Sequence, residues 1–186
     1  MKKTLFFAVL FLSMNSHAAD LQRLESESRQ AIAEFSSQLK SKLRQGMQQG
    51  GPVAAIQVCH AAASAISERI SRQYGWKIAR TSLKVRNPGN APDPWERKVL
   101  ETFEARKAGG EPAQQLSHSE IIEQNGQKNF RYLQAIPTGE ICLACHGKNI
   151  DPALQAELDR LYPDDQARGF TVGDLRGAFS ITRSID

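Results

Sequence analysis

The sequence lacks a second long apolar run. Its one such run, Leu5 to Leu12, follows the basic pair Lys2 and Lys3 and precedes Ser16-His17-Ala18. That order is the form of a cleaved export signal, so residues 1–18 are expected to be removed and the mature protein to be periplasmic. The run is shorter than the ~20 residues of a membrane span, so none is expected. No cysteine stands near the cleavage point, which argues against a lipid anchor. A clustered basic stripe is missing too, so nucleic acid is not an expected partner. The formal charge of +4 falls to about +2 without Lys2 and Lys3. With no internal repeat and no low-complexity linker, residues 19–186 read as a single domain.

Cysteine is scarce and odd in number, at three. An odd thiol in an oxidising compartment needs an explanation. Two of the three stand in one motif, and the third, Cys59, is left over.

Helical periodicity comes first along the chain. Leu21, Leu24, Ser28, Ile32, Phe35, Leu39 and Leu43 recur at steps of three and four, which predicts a long amphipathic helix stopping near Gly46. Gly50-Gly51-Pro52 predicts a turn, with Pro52 opening a second helix to about Arg72. Residues 74–85 alternate in the manner of a strand, and 87–92 (Asn-Pro-Gly-Asn-Ala-Pro) read as a loop. Asp93-Pro94-Trp95-Glu96 has the form of a capped helix start, with Val99 and Phe103 on its apolar side and Gly109-Gly110 at its end. Asn125-Gly126 between two β-type runs is a hairpin signal. Asp151-Pro152 predicts a further short helix carrying Leu154, Leu158 and Leu161, and 177–182 a last strand. Helices followed by a hairpin and strands give an α+β fold.

Cys142-Leu143-Ala144-Cys145-His146 is the pattern of covalent haem attachment: two thiols add to the vinyl groups and the adjacent histidine binds iron. A redox dithiol would not require that histidine. A structural zinc site would want a second ligand pair, which the chain lacks. One motif implies one haem c, attached by the c-type maturation machinery outside the cytoplasm.

The other iron position has several candidates among the mature sulfur and imidazole donors: Cys59, His60, His118 and Met47. Ile56, Cys59, Ala63, Ile66 and Ile70 form an apolar helical stripe, whereas His60 is rotated about 100° from Cys59. A haem is a large apolar plate, and the small residues Ala61, Ala62, Ala63 and Ala65 would let it approach, which favours Cys59. A buried free cysteine packing as a small hydrophobe is the plain alternative.

With CLACH, AAIQVCHAAASAI and RTSLKVRNPGNAPDPWE in that order, residues 25–185 resemble the PAS-like c-type haem family first catalogued as a domain of unknown function. The resemblance implies a PAS-like antiparallel sheet packed by helices, with His and Cys axial ligands matching His146 and Cys59. It also places residues 80–90 near the haem, making Arg80, Lys84 and Arg86 candidate partners of its propionates. It implies a redox or gas sensor, with NO or CO as candidate gases, and not an enzyme. The rivals are a low-potential electron carrier working with a redox partner protein and, more remotely, a peroxidase. A small cytochrome c would carry its motif early and a methionine after it, and neither feature is present.

Overall fold

The computed structural model describes residues 8–124 and 126–185. Lys2, Lys3 and Leu5 of the expected export signal, and Asn125 of the hairpin turn, lie outside the described residues.

The helical span α1 (Ala8–Tyr74) begins inside the segment expected to be removed, and is broken at Gly50 and Gly51. Gly51 has φ 69° and ψ −158°, a region essentially closed to residues with a Cβ. Pro52 then starts the second arm. The stop expected near Gly46 is a correction: the first arm continues helically past it. Glycine is required there for another reason, since an added Cβ would sit 2.5 Å from the Ala55 Cα of the second arm. The arms run antiparallel from this contact. At their far end Glu34 accepts from Gln73 Nε2 at 3.1 Å and from the Tyr74 hydroxyl at 3.3 Å.

Strands β1 (Lys77–Thr81), β2 (Ser117–Gln124), β3 (Gln127–Pro137) and β4 (Leu175–Ser184) form one antiparallel sheet in the order β1-β4-β3-β2. The β2–β3 hairpin closes with Gln124 opposite Gln127, as the sequence predicted. The strand expected over 74–85 is shorter at both ends. Tyr74 belongs to α1, and after Thr81 the Ser82 hydroxyl accepts from the Lys84 N–H at 3.1 Å. That local side-chain bond competes with the ladder and turns the chain away.

Alternation along the strands gives the sheet two apolar faces. Phe130, Tyr132, Phe179 and Ile181 pack with Leu24, Ile32, Phe35 and Ile70 of α1. Leu133, Ala135 and Ala178 pack with Val99, Leu100 and Phe103 of α2 (Pro94–Ala108). The sheet is therefore the middle layer of three, which agrees with the expected α+β architecture of a PAS-like antiparallel sheet and long N-terminal helices. The reciprocal cap that starts α2 is present, with Asp93 accepting from the Glu96 N–H at 2.8 Å and Glu96 accepting from the Asp93 N–H at 3.0 Å. Arg131 of β3 ties the cap to the sheet, 2.8 Å from Asp93 Oδ2, with its guanidinium 4.4 Å from the Trp95 ring centroid.

A third, smaller core joins the second arm of α1 to α4 (Pro152–Leu161): Ile56 packs with Leu154 and Leu158, and Val53, Cys145 and Tyr162 lean against them. It brings the segment after β3 onto the helix that carries Cys59. Among the described residues no helix is long and apolar enough to cross a membrane.

Gly46→Ala should destabilise the fold by about 1–3 kcal/mol, because backbone rather than a flexible side chain blocks the new methyl. Gln48→Ala, on the exposed side of the same arm, should cost almost nothing. Urea denaturation of the two variants checks this, and equal losses would count against the close approach.

Candidate cofactor site

Between the second arm of α1, β1, the turn after it and the CLACH segment lies a cavity of about 430 Å³, within the range of cofactor sites. Cys59, His60, Arg80, Arg86, Cys142, Cys145 and His146 all line it. Lys84 does not. It lines a separate cavity of about 300 Å³, with its ammonium 5.5 Å from the Phe170 ring centroid.

The two CLACH thiols and the histidine lie on one short coil of helix, α3 (Leu143–His146) and the turn before it. The loop 163–174 holds this coil from behind. Phe170 N–H donates to the His146 carbonyl at 2.9 Å and Gly169 N–H to the Gly147 carbonyl at 3.0 Å. The Ala167 carbonyl lies 2.8 Å from His146 Nδ1. A carbonyl can only accept, so Nδ1 carries the proton and Nε2 keeps its lone pair, the arrangement a metal-binding histidine needs. Burial, followed by the charges of Arg176 and Arg86, holds the His146 pKa well below its usual value, which keeps the ring neutral.

Cys59 faces this coil across the cavity, half-buried on the second arm. Burial pushes its thiol pKa up, opposed by Arg80, while Cys145 adds to the rise. The expected stripe is in place, with Ile56, Ile66 and Ile70 buried and Ala63 on the cavity wall. His60 is exposed at the same cavity and packs edge-on against Tyr162, with ring centroids 4.9 Å apart. Met47 and His118 line neither cavity. His118 is exposed on β2, beside Trp95 and Glu120. All three cysteines are free.

The walls are apolar where Phe35, Leu39, Leu43 and Ile56 contribute, and cationic where Arg80, Arg86 and Arg176 do. Arg176 was not singled out from the sequence, although a lone basic residue in the apolar run Leu175–Ile181 was an available signal. Its Nε lies 3.2 Å from His146 Nδ1 and 3.4 Å from Nε2, so the guanidinium stands against the imidazole. Burial, then Arg86 and Arg80, pushes its pKa down to about 10. Burial also lowers the Arg80 pKa. The one deeply buried carboxylate beside these cations is Asp165, 3.1 Å from Arg86 and itself only 1% exposed. Two thiols beside an imidazole, a third thiol opposite, apolar walls and surplus positive charge together fit a flat apolar macrocycle with two carboxylates.

Asp165→Asn tests the buried pair. Burial works to raise the Asp165 carboxyl, but Arg86, Arg168 and the Ala167 N–H outweigh it and hold the pKa below its ordinary value. A depressed carboxyl stabilises the fold above its unfolded pKa, and that stabilisation is lost as pH falls through the folded one. The variant should be about 3–5 kcal/mol less stable at pH 7, with the gap closing below about pH 4. Denaturation curves against pH check this, and a gap that does not depend on pH would contradict it.

The family model described as Tll0287-like matches residues 14–184. Among solved structures, the crystal structure of the cyanobacterial haem protein Tll0287 aligns with a TM-score of 0.67 at 24% identity, covering 88% of this chain and 96% of that one. At that identity the likeness speaks for the fold. No curated protein matches the chain significantly. With nearly its whole length matched, the chain belongs to the Tll0287-like family.

Proposed function

We propose that this chain is an exported, periplasmic monohaem cytochrome. In this reading Cys142 and Cys145 hold one haem c by thioethers, His146 and Cys59 bind its iron, and the protein works as a redox or gas sensor. The observation that carries the reading is the convergence of Cys59 with CLACH on one apolar, cationic cavity. Membership of a family whose solved member is described as a haem protein supports it. Bound there, haem supplies a one-electron couple and an axial coordination site.

The chain's own residues supply the rest. His146 is held neutral with the lone pair on Nε2, which Arg176 meets at 3.4 Å and would yield to iron, and Arg80 and Arg176 offer charge to the propionates. Cys59 is the group whose state can change. Buried against apolar walls, it favours the neutral thiol, and only a strong cationic partner keeps it a thiolate. With haem bound, its iron would be that partner, and a proton on Sγ would return Cys59 to the state its surroundings prefer. The helix bearing Cys59 is bolted at two places. Gln57 donates to Glu157 of α4 at 2.7 Å, and the Ser71 hydroxyl accepts from the Ile78 N–H of β1 at 3.0 Å. Release at Cys59 therefore reaches both α4 and the sheet.

Two measurements test this reading. Mature protein made with the c-type maturation system should keep its haem through denaturing electrophoresis, and complete extraction by acidified acetone would refute attachment. After reduction and addition of CO, the Soret band should shift and hydrogen exchange should rise over residues 52–72. If the protein refuses CO and protection is unchanged while electron exchange is fast, the chain is an electron carrier instead.

A further inference from the structure

Arg86 faces the cavity, and one nitrogen of its guanidinium, Nη2, is committed to the backbone behind it, while Nε is buried without a partner. The side chain is 8% exposed, and Nη2 lies 3.1 Å from Asp165 Oδ2. The same nitrogen donates to the Cys145 carbonyl, and to the Ala167 carbonyl at 3.3 Å. Those two carbonyls flank His146, one just before it in the chain and the other accepting its Nδ1–H. Asp165 grips the same peptide from the other side, with Oδ1 accepting the Ala167 N–H at 2.9 Å. Arg168 Nε donates to Asp165 Oδ2 at 2.9 Å, and Ala167 itself is fully buried. Ala167, whose carbonyl orients His146, is thus held at its carbonyl by Arg86 and at its N–H by Asp165.

We propose that Arg86 and Asp165 are positioning residues that fix the plane of the His146 ring through Ala167. The inference rests on His146 binding iron. It follows from geometry. A guanidinium nitrogen lies in a fixed plane and points its N–H bonds in set directions, whereas an ammonium is a point charge on a flexible stem. Arg80, Arg176 and Lys40 also line the cavity and offer charge to anionic groups.

Substitution of lysine separates positioning from charge alone, because it keeps the charge and removes the fixed plane of the guanidinium. In the ferric holoprotein, low-spin electron paramagnetic resonance reports the orientation of the axial imidazole. Arg86→Lys and Asp165→Asn should each replace one low-spin species with two or more, while haem per polypeptide stays at the wild-type value. If Arg86→Lys matches wild type while Arg86→Met does not, Arg86 acts by charge and the inference falls. It falls equally if all three spectra match wild type and only thermal stability drops. Should Arg86→Met fail to accumulate, Arg86→Lys and Asp165→Asn decide the matter between them. Absence of covalent haem from the wild-type protein is a different result, and defeats the proposed function itself.

Discussion

The apolar contact of Ile56 with Leu154 and Leu158 is the constraint on which the site depends. Cys59 and CLACH are far apart in sequence and belong to different layers, and this seam brings them to one cavity. Burying each such side chain is worth about 1.5–3 kcal/mol, against about 5–15 kcal/mol for the net stability of a whole domain. The seam is therefore a large share of what keeps the two halves of the site together. It is also small enough for the chemistry at Cys59 to compete with it. The proposed sensing role requires that balance, because a rigid seam would absorb a change of ligand without moving.

Charge imposes the second constraint. Arg80, Arg86 and Arg176 share one cavity; burial lowers the pKa of Arg80 and of Arg176, and at Arg176 the charges of Arg86 and Arg80 add to it. Asp165 pairs with Arg86 and with Arg168, and partly offsets the burial of Arg176. Arg80 and Arg176, half-buried in the cavity wall, cost stability unless something anionic meets them, and a ligand with two carboxylates offsets that cost on binding. Burial first, and then the same positive charge from Arg176 and Arg86, keeps His146 neutral.

Much of this was legible in the sequence, and for local reasons. The capped start at Asp93, the hairpin around Gly126 and the break at Gly51 are decided by side chains and neighbours within a few residues. The stripe that includes Cys59 is a matter of helical period. What the sequence hid is tertiary. Gly46 read as a stop because its use, admitting Ala55 of the other arm, lies across the helical hairpin. Residues 82–85 alternate like a strand, yet Ser82 bonds back to Lys84 and ends the ladder. The loop behind His146 has no periodicity, so neither Asp165 nor the carbonyl of Ala167 gave any sign of its role. Lys84 and Arg86 looked equivalent as nearby basic residues, and only the fold sends one to Phe170 and the other to Asp165.

The central claim is that His146 and Cys59 grip one iron from opposite sides of the cavity, with His60 a bystander against Tyr162. Ferric electron paramagnetic resonance of the wild type, Cys59→Ser and His60→Ala tests it most directly. The account predicts a low-spin thiolate signature in the wild type, its loss in Cys59→Ser and its survival in His60→Ala. A signature that survives in Cys59→Ser and disappears in His60→Ala would contradict it.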